Sequence, residues 1–307
     1  MFNFRHYLLL PLCFCVALVG CGQEQKPSHK RAEAEKPYIV AVNNPLYYFA
    51  DRLVGDRVEV RLPVPDEIDP AQWQPSVDEL LQLQGAELVL LNGAGYSPWV
   101  ANVSLASGRV VTTAEAARPS WIELEGQMTH SHGPEGDHAH GGYAFTTWMD
   151  MSLAKIQAKA AASSISSRWP QWSDDVSAKL NSLLADIDDL DRGYRAFATI
   201  AVGRQLIYSH PVYQYFERAY GLEGHSLHWE PDIMPSDSQW RKLSDGLGSR
   251  ALFAWEGEPS IEITARMHAL GLQFVVIDPG ARRSEADWLS LQRANLSRLQ
   301  ALGNIGR

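Results

Sequence analysis

Between Ser173 and Ile200 the apolar residues Val176, Leu180, Leu183, Ile187, Leu190, Tyr194 and Phe197 succeed one another at spacings of 4, 3, 4, 3, 4 and 3. That spacing places all seven on one face of a helix of roughly seven turns, with acids on the outer face. Ser173 is the expected cap. A coiled-coil hairpin would need a second matching stripe beside it. A single seam reads instead as a spine joining two bodies.

Both flanks carry the same grammar. Upstream, YIVAVNN is a short buried strand, PLYYFADRLVG a helix with a glycine stop, and RVEVRLP an alternating strand. SVDELLQLQGA is a helix opened by Ser76 with Glu79 three residues on, the pattern of a capping box. ELVLLNG and RVVTT are further strands, and MSLAKIQAKAAASSISS is a helix that stops near Pro170. Downstream, RQLIYSH, HSLHW, ALFAWEG and QFVVID are strands, each succeeded by a helical stretch. Strands alternating with helices predict an α/β protein of two lobes with parallel sheets, joined by a long rigid linker helix. Ligands of such sheets bind beyond the carboxyl ends of the strands.

The amino-terminal segment is of another kind. After Arg5 the run LLLPLCFCVALVG has the shape of a secretory signal and is too short to span a bilayer comfortably. It ends at Cys21, preceded by Leu18, Val19 and Gly20, like a bacterial lipobox. Residues 1–20 are therefore expected to be a lipoprotein signal peptide, with Cys21 the lipidated residue. Residues 21–37 have no large apolar side chain and read as a solvated tether. All three cysteines lie at or before position 21, so the mature chain has no pair for a disulfide. The body would be an N-terminal lobe at 38–172, the linker helix at 173–200 and a C-terminal lobe at 201–307. The formal charge of −9 without a basic patch argues against nucleic acid as a partner.

The stretch THSHGPEGDHAHGG, residues 129–142, holds four of the ten histidines, at 130, 132, 138 and 140. Its glycines and proline exclude a helix or a core strand. His130, His132, His138 and His140 form two His-x-His pairs, and in an extended segment each pair shares one face and can chelate together. Elsewhere, His210 ends the strand QLIYSH and Asp278 ends QFVVID, so both belong at the carboxyl ends where a cleft would lie. Each alone reads as a cap or turn residue. Together with the histidine-rich loop they point to a divalent cation. Glu230 and His228 are expected to support the site rather than to ligate. Trp255, Glu256 and Glu258 come after the strand ALFA and are placed to approach it. Tyr47, Tyr48, Trp73, Tyr96, Trp99 and Trp229 read either as walls of the cleft or as core. No GxSxG, HExxH or phosphate loop is present in the sequence, so an enzyme is not expected.

Over nearly the whole mature chain these stretches resemble the zinc/manganese-type (cluster A-I) substrate-binding lipoproteins of bacterial metal ABC importers. The resemblance rests on DPAQWQPSVDELLQLQGAELVLLNGAGYSPWV, the histidine-rich loop, TTWMDMSLAKIQA, the spine, YSHPVYQYFERAYGL, EPDIMPSDSQW and FVVIDPGA, in that order. It implies a monomeric, lipid-anchored receptor facing the periplasm or the cell exterior. Such a receptor captures zinc first and manganese second as transported ligand and delivers it to an ABC permease. It implies that His210 and Asp278 are two of four ligands. At the other two positions this chain has Ala71, after Asp69-Pro70, and Thr146, so the expected metal site is degenerate. Two outcomes are open. In one, loop histidines fold back to complete the shell, since His140 and Thr146 are at most about 20 Å apart along an extended chain, with Glu135, Asp137 or Glu230 holding the imidazoles. In the other, the cleft has lost tight metal binding and the loop is a weak collector, or the ligand is something else; the alternative function is a surface adhesin or partner-binding lipoprotein on the same scaffold.

Overall fold

The computed structural model describes residues 36–124, 129–131, 137–139, 142–246 and 251–304. The expected signal peptide, Cys21 and most of the tether lie outside the described residues, as do His132, Glu135 and His140.

The first sheet is built from β1 (Tyr38–Ala41), β2 (Glu59–Arg61), β3 (Leu88–Leu91) and β4 (Val110–Thr112), in the order β2-β1-β3-β4 with every pairing parallel. All residues of β1 and β3 are buried, as central strands covered on both faces must be. Helices α1 (Asn44–Val54) and α2 (Val77–Gly85) connect them. The Asn43 side chain caps α1 by accepting from the Leu46 amide, and Gly55 ends it at φ 57°. The capping box of Ser76 and Glu79 forms as expected on α2. After a short antiparallel hairpin, β5 (Thr129–Ser131) with β6 (Asp137–Ala139), comes α3 (Met151–Arg168), capped by Asp150.

The spine is α4 (Ser173–Ala201), 29 residues long. Six of the seven seam residues are buried, and Leu180 is partly so. Two expectations change here. Ser173 is the first helical residue rather than the cap. Trp172 takes the cap position without a side-chain bond, and Asp174 and Asp175 supply the negative charge of the first turn. The seam also has partners: α4 packs on α1, on α3 and on the final helix, α8 (Trp288–Asn304). At the α8 crossing a Cβ on Gly193 would stand 2.2 Å from Leu296 Cδ2, so glycine lets the two helices approach. Arg52 on α1 and Arg293 on α8 both reach Asp186 of α4, at 3.0 and 2.8 Å.

The second sheet repeats the first. Its strands are β7 (Leu206–Tyr208), β8 (Gly224–Ser226), β9 (Leu252–Trp255) and β10 (Gln273–Val276), all parallel, in the order β10-β9-β7-β8. Helices α5 (Gln214–Tyr220), α6 (Asp237–Gly246) and α7 (Ile261–Ala269) intervene. The strand expected at HSLHW is shorter and starts earlier. Yet Leu227 and Trp229 still donate to Tyr208 O and Ser209 O, at 2.8 and 2.9 Å, so the chain continues alongside the end of β7.

Lys36–Arg307 forms one compact unit, and bonds between the lobes explain why. The Asn44 amide donates to Ala281 O at 2.9 Å, Trp148 Nε1 to Pro279 O at 2.8 Å, and Tyr215 Oη to Ala144 O at 3.0 Å. Tyr48, Trp73, Tyr96, Trp99 and Trp229 are buried within the hydrophobic cores, which makes them packing rather than exposed walls. Among the described residues no helix is long and apolar enough to cross a membrane.

Candidate metal centre

β7 lies in the interior of the second sheet, between β8 on one side and β9 on the other. The chain leaving the end of β7 is therefore flanked by the chain leaving each of those neighbours. The first two residues beyond β7 are Ser209 and His210. Ser209 is fully buried and joins three chain segments. Its amide donates to Ala254 O at 2.8 Å, its carbonyl accepts from the Trp229 amide at 2.9 Å, and its Oγ accepts from the Glu256 amide at 3.0 Å. These bonds bring Glu230 and Glu256 to either side of His210. Behind Glu230, the Trp229 ring is fixed edge-on to Trp240, with centroids 4.9 Å apart.

His210 is 5% exposed and presents both ring nitrogens to carboxylates. Nδ1 lies 3.0 Å from Glu256 Oε1, and Nε2 lies 3.4 Å from Glu230 Oε1. Burial works against the imidazolium. The close contact and charge of Glu256, the charge of Glu230 and a hydrogen bond with the Trp229 backbone outweigh it and hold the pKa above the ordinary value. One ligand atom from each of His210, Glu230 and Glu256 falls within 4.8 Å of the others, the one such group among the described residues. His228, exposed, stands edge-to-face with the His210 ring, centroids 5.9 Å apart.

Asp278 lies just past β10, two strands from β7, and stands outside that group. Its Oδ1 accepts from the Gly280 amide at 2.7 Å, and Asn295 of α8 brackets its backbone on both sides. Burial raises its pKa, and the nearby charge of Glu256 adds to the rise, so the two carboxylates sense one another. Glu258 is three-quarters exposed at its side chain and pairs with Arg298 at 3.6 Å rather than facing His210.

The first lobe contributes no donor at the two degenerate positions. Ala71 is buried, its amide bonded to Asp69 Oδ1 at 3.0 Å. Thr146 is buried too, and its hydroxyl donates to Val212 O at 2.6 Å, while the Val212 amide donates to His210 O at 3.0 Å. Thr146 therefore lies one link from His210 but spends its hydroxyl on joining the lobes. In the loop, register sets His130 opposite His138 across β5 and β6, as Cα partners.

Of the residues singled out in the sequence, the structure brings together His210, Glu230 and His228. Glu256, expected to approach the site from its position after a strand, is an immediate neighbour of the imidazole. Ser209, which holds the group in place, carries no sequence signal beyond its position at a strand end.

A family model described as "ZnuA: Zinc-uptake complex component A periplasmic" matches residues 39–302. The chain is 26% identical over 239 residues to the high-affinity zinc uptake system protein ZnuA of Bacillus subtilis, covering 76% of this chain and 75% of that one. It is 24% identical over 245 residues to the zinc-binding lipoprotein AdcA of Streptococcus pneumoniae, covering 78% of this chain but only 47%, about half, of that relative. In structure it resembles the metal-dependent lipoprotein YcdH of Bacillus subtilis, with a TM-score of 0.74 at 20% identity, over 88% of this chain and 98% of that one.

Proposed function

The chain belongs to the zinc-uptake complex component A family, and from that premise we propose that it is the extracytoplasmic substrate-binding component of an ABC importer for a divalent metal ion. Zinc is the first candidate and manganese the second. The observation that carries this reading is the buried His210 with a carboxylate at each ring nitrogen, at the carboxyl end of an interior strand of its sheet. One imidazole with converging carboxylates is a donor set for borderline and hard divalent ions. Transport requires no chemical step on the ion, only capture and release.

In this reading His210 and Asp278 belong to the binding centre of the second lobe. His130, His132, His138 and His140 gather the ion or complete its shell. The partner is the importer's permease, and lipid on Cys21 anchors the receptor, a monomer, at the membrane surface. A partner-binding lipoprotein on the same scaffold would show no stoichiometric metal binding. Zinc titration by calorimetry tests the reading on the chain from Gly22, which retains the compact unit, in three forms: wild type, His210→Ala, and the loop with its four histidines changed to Ala. One tight site that disappears in His210→Ala supports metal delivery. If His210→Ala binds zinc as wild type does, the cleft is not the metal centre and the reading fails. Loss of the tight site in the loop variant as well puts loop and cleft on one ion. Loss of weak binding alone makes the loop a collector.

A further inference from the structure

We propose that Glu230 is a direct ligand of the cation, paired with Nε2 of His210, that Glu256 is the positioning carboxylate on Nδ1, and that the C-terminal lobe alone supplies the fixed ligands. This rests on the metal-receptor reading above and goes beyond it, because it assigns the ligand that stands in for those missing at Ala71 and Thr146.

The two carboxylates differ in distance. Ligands about 2.0–2.1 Å from a tetrahedral ion lie roughly 3.3 Å from each other. An N–H···O hydrogen bond is shorter, about 2.7–3.2 Å. Nε2 to Glu230 measures 3.4 Å, the edge of a coordination tetrahedron. Nδ1 to Glu256 measures 3.0 Å, an ion-pair contact of hydrogen-bond length. A metal-bound histidine characteristically donates its second N–H to a carboxylate or carbonyl, which sets its tautomer and orientation. Glu256 is placed for that role, and Glu230 is placed where the ion is shared.

Glu230 is also held firmly enough to serve. Trp229 before it is buried and its amide is pinned to Ser209 O. Pro231 after it accepts from the Ser260 amide at 2.8 Å, so the backbone is fixed on both sides of the carboxylate. The opposite lobe has a methyl at Ala71 and, at Thr146, a hydroxyl held on Val212 O. The consequence is selectivity. One imidazole with carboxylates is richer in oxygen than a set containing several imidazoles, so the preference for zinc over manganese narrows.

The test uses the chain from Gly22 with zinc alone and manganese alone, by calorimetry, together with zinc-edge X-ray absorption at one ion per chain. The forms are wild type, His210→Ala, Glu230→Gln, Glu256→Gln and Thr146→His. Glutamine keeps the size of glutamate, and circular dichroism melts of the metal-free forms check folding. The absorption spectrum of wild type should contain one imidazole, and that of Thr146→His two. Glu230→Gln should weaken zinc binding at least 100-fold. Glu256→Gln, whose amide oxygen still accepts from Nδ1, should weaken it about tenfold and leave the spectrum unchanged. Thr146→His should widen the ratio of zinc to manganese affinity at least tenfold. If His210→Ala loses the ion while Glu230→Gln keeps wild-type affinity, Glu230 is no ligand and this proposal falls while the receptor reading survives. Two or more imidazoles in wild type would overturn the one-lobe site. No tight binding by wild type would remove both.

Discussion

The two lobes share one topology and use it oppositely. Each sheet sets its second strand at the edge, its first beside that, then its third and fourth, all parallel. At the carboxyl ends of the first sheet stand Asn43, Asn92 and Thr113, joined by Thr147 and Gln157, all fully buried and all neutral. They satisfy one another: Gln157 Nε2 donates to Asn92 Oδ1 at 2.8 Å and to Thr113 Oγ1 at 3.2 Å, and Asn92 Nδ2 donates to Phe145 O at 2.9 Å. At the corresponding ends of the second sheet stand His210, Glu230, Glu256 and Asp278. A closed neutral network holds a structure together and has little capacity left for a ligand. A cluster of ionisable groups around one imidazole keeps donor capacity that a cation can use. In the proposed reading the first lobe is a closed support, and the second carries the groups that would hold the ion.

If that division is right, equivalent lesions should part company. His210→Ala should raise the dissociation constant for zinc at least a thousandfold, about 4 kcal/mol. Metal-free unfolding of the same variant in urea should shift by only about 1 kcal/mol. Asn92→Ala should do the reverse. It strands Gln157 and Phe145 O inside a buried network, for a loss of roughly 3 kcal/mol in stability. Zinc affinity of the protein that remains folded should stay within about twofold, well under 1 kcal/mol. Equal effects of both variants on stability and on affinity would erase the distinction between the lobes.

Ser209 sits at the boundary of the two roles and should show both at lower amplitude. Ser209→Ala removes the acceptor of the Glu256 amide but keeps the backbone bonds to Ala254 and Trp229. The expected loss is about 1–2 kcal/mol of stability, with roughly tenfold weaker zinc binding because the carboxylate that orients His210 is less well placed. Calorimetry and urea unfolding on the same preparation measure the two together. A pure stability loss would mean that Glu256 does not depend on Ser209 for its position.

The fold was largely readable because its signals are local. Continuous apolar runs such as ELVLLNG, the capping box at Ser76 and the 4,3 stripe from Val176 to Phe197 each report burial or termination within a few residues of chain. His210 and Asp278 were readable for the same reason, as polar residues closing apolar strands. What the periodicity does not contain is lateral order. Only the arrangement β10-β9-β7-β8 makes Glu230 and Glu256 the neighbours of His210 and sets Asp278 one strand beyond Glu256. The stripe on α4 likewise announces a buried face without naming α3 and α8 as its partners. The fate of Thr146, bonded across the lobes to Val212, depends on a contact 66 residues away in sequence. Glu256 could be placed near the cleft from its position after a strand, but its hold on Nδ1 needs the Ser209 junction, which has no sequence pattern of its own.

The smallest expected effect sharpens the comparison through pH. The buried network of the first lobe is neutral, so its contribution to stability should be flat between about pH 4 and 7. The second lobe also carries Glu217 on α5, half-buried, with its Oε1 placed 2.8 Å from where a Cβ on Gly224 would stand. Burial raises its pKa above the ordinary carboxylate value, against the hydrogen bond it receives from the Gly224 amide. For an acid raised in this way the folded state binds its proton more readily than the unfolded state does. Its favourable contribution is therefore complete below the unfolded pKa and is lost as pH rises through the folded pKa. Glu217→Gln keeps an acceptor for Gly224 and removes the charge. The variant should exceed wild type at about pH 7 by less than about 1 kcal/mol, screening included. At about pH 4 the two should converge. Urea unfolding of the metal-free protein at both values reads the difference directly. A gap of the same size at both pH values would show that charge at Glu217 is not what separates them, and an N-terminal-lobe variant such as Asn92→Ala should give that pH-independent gap.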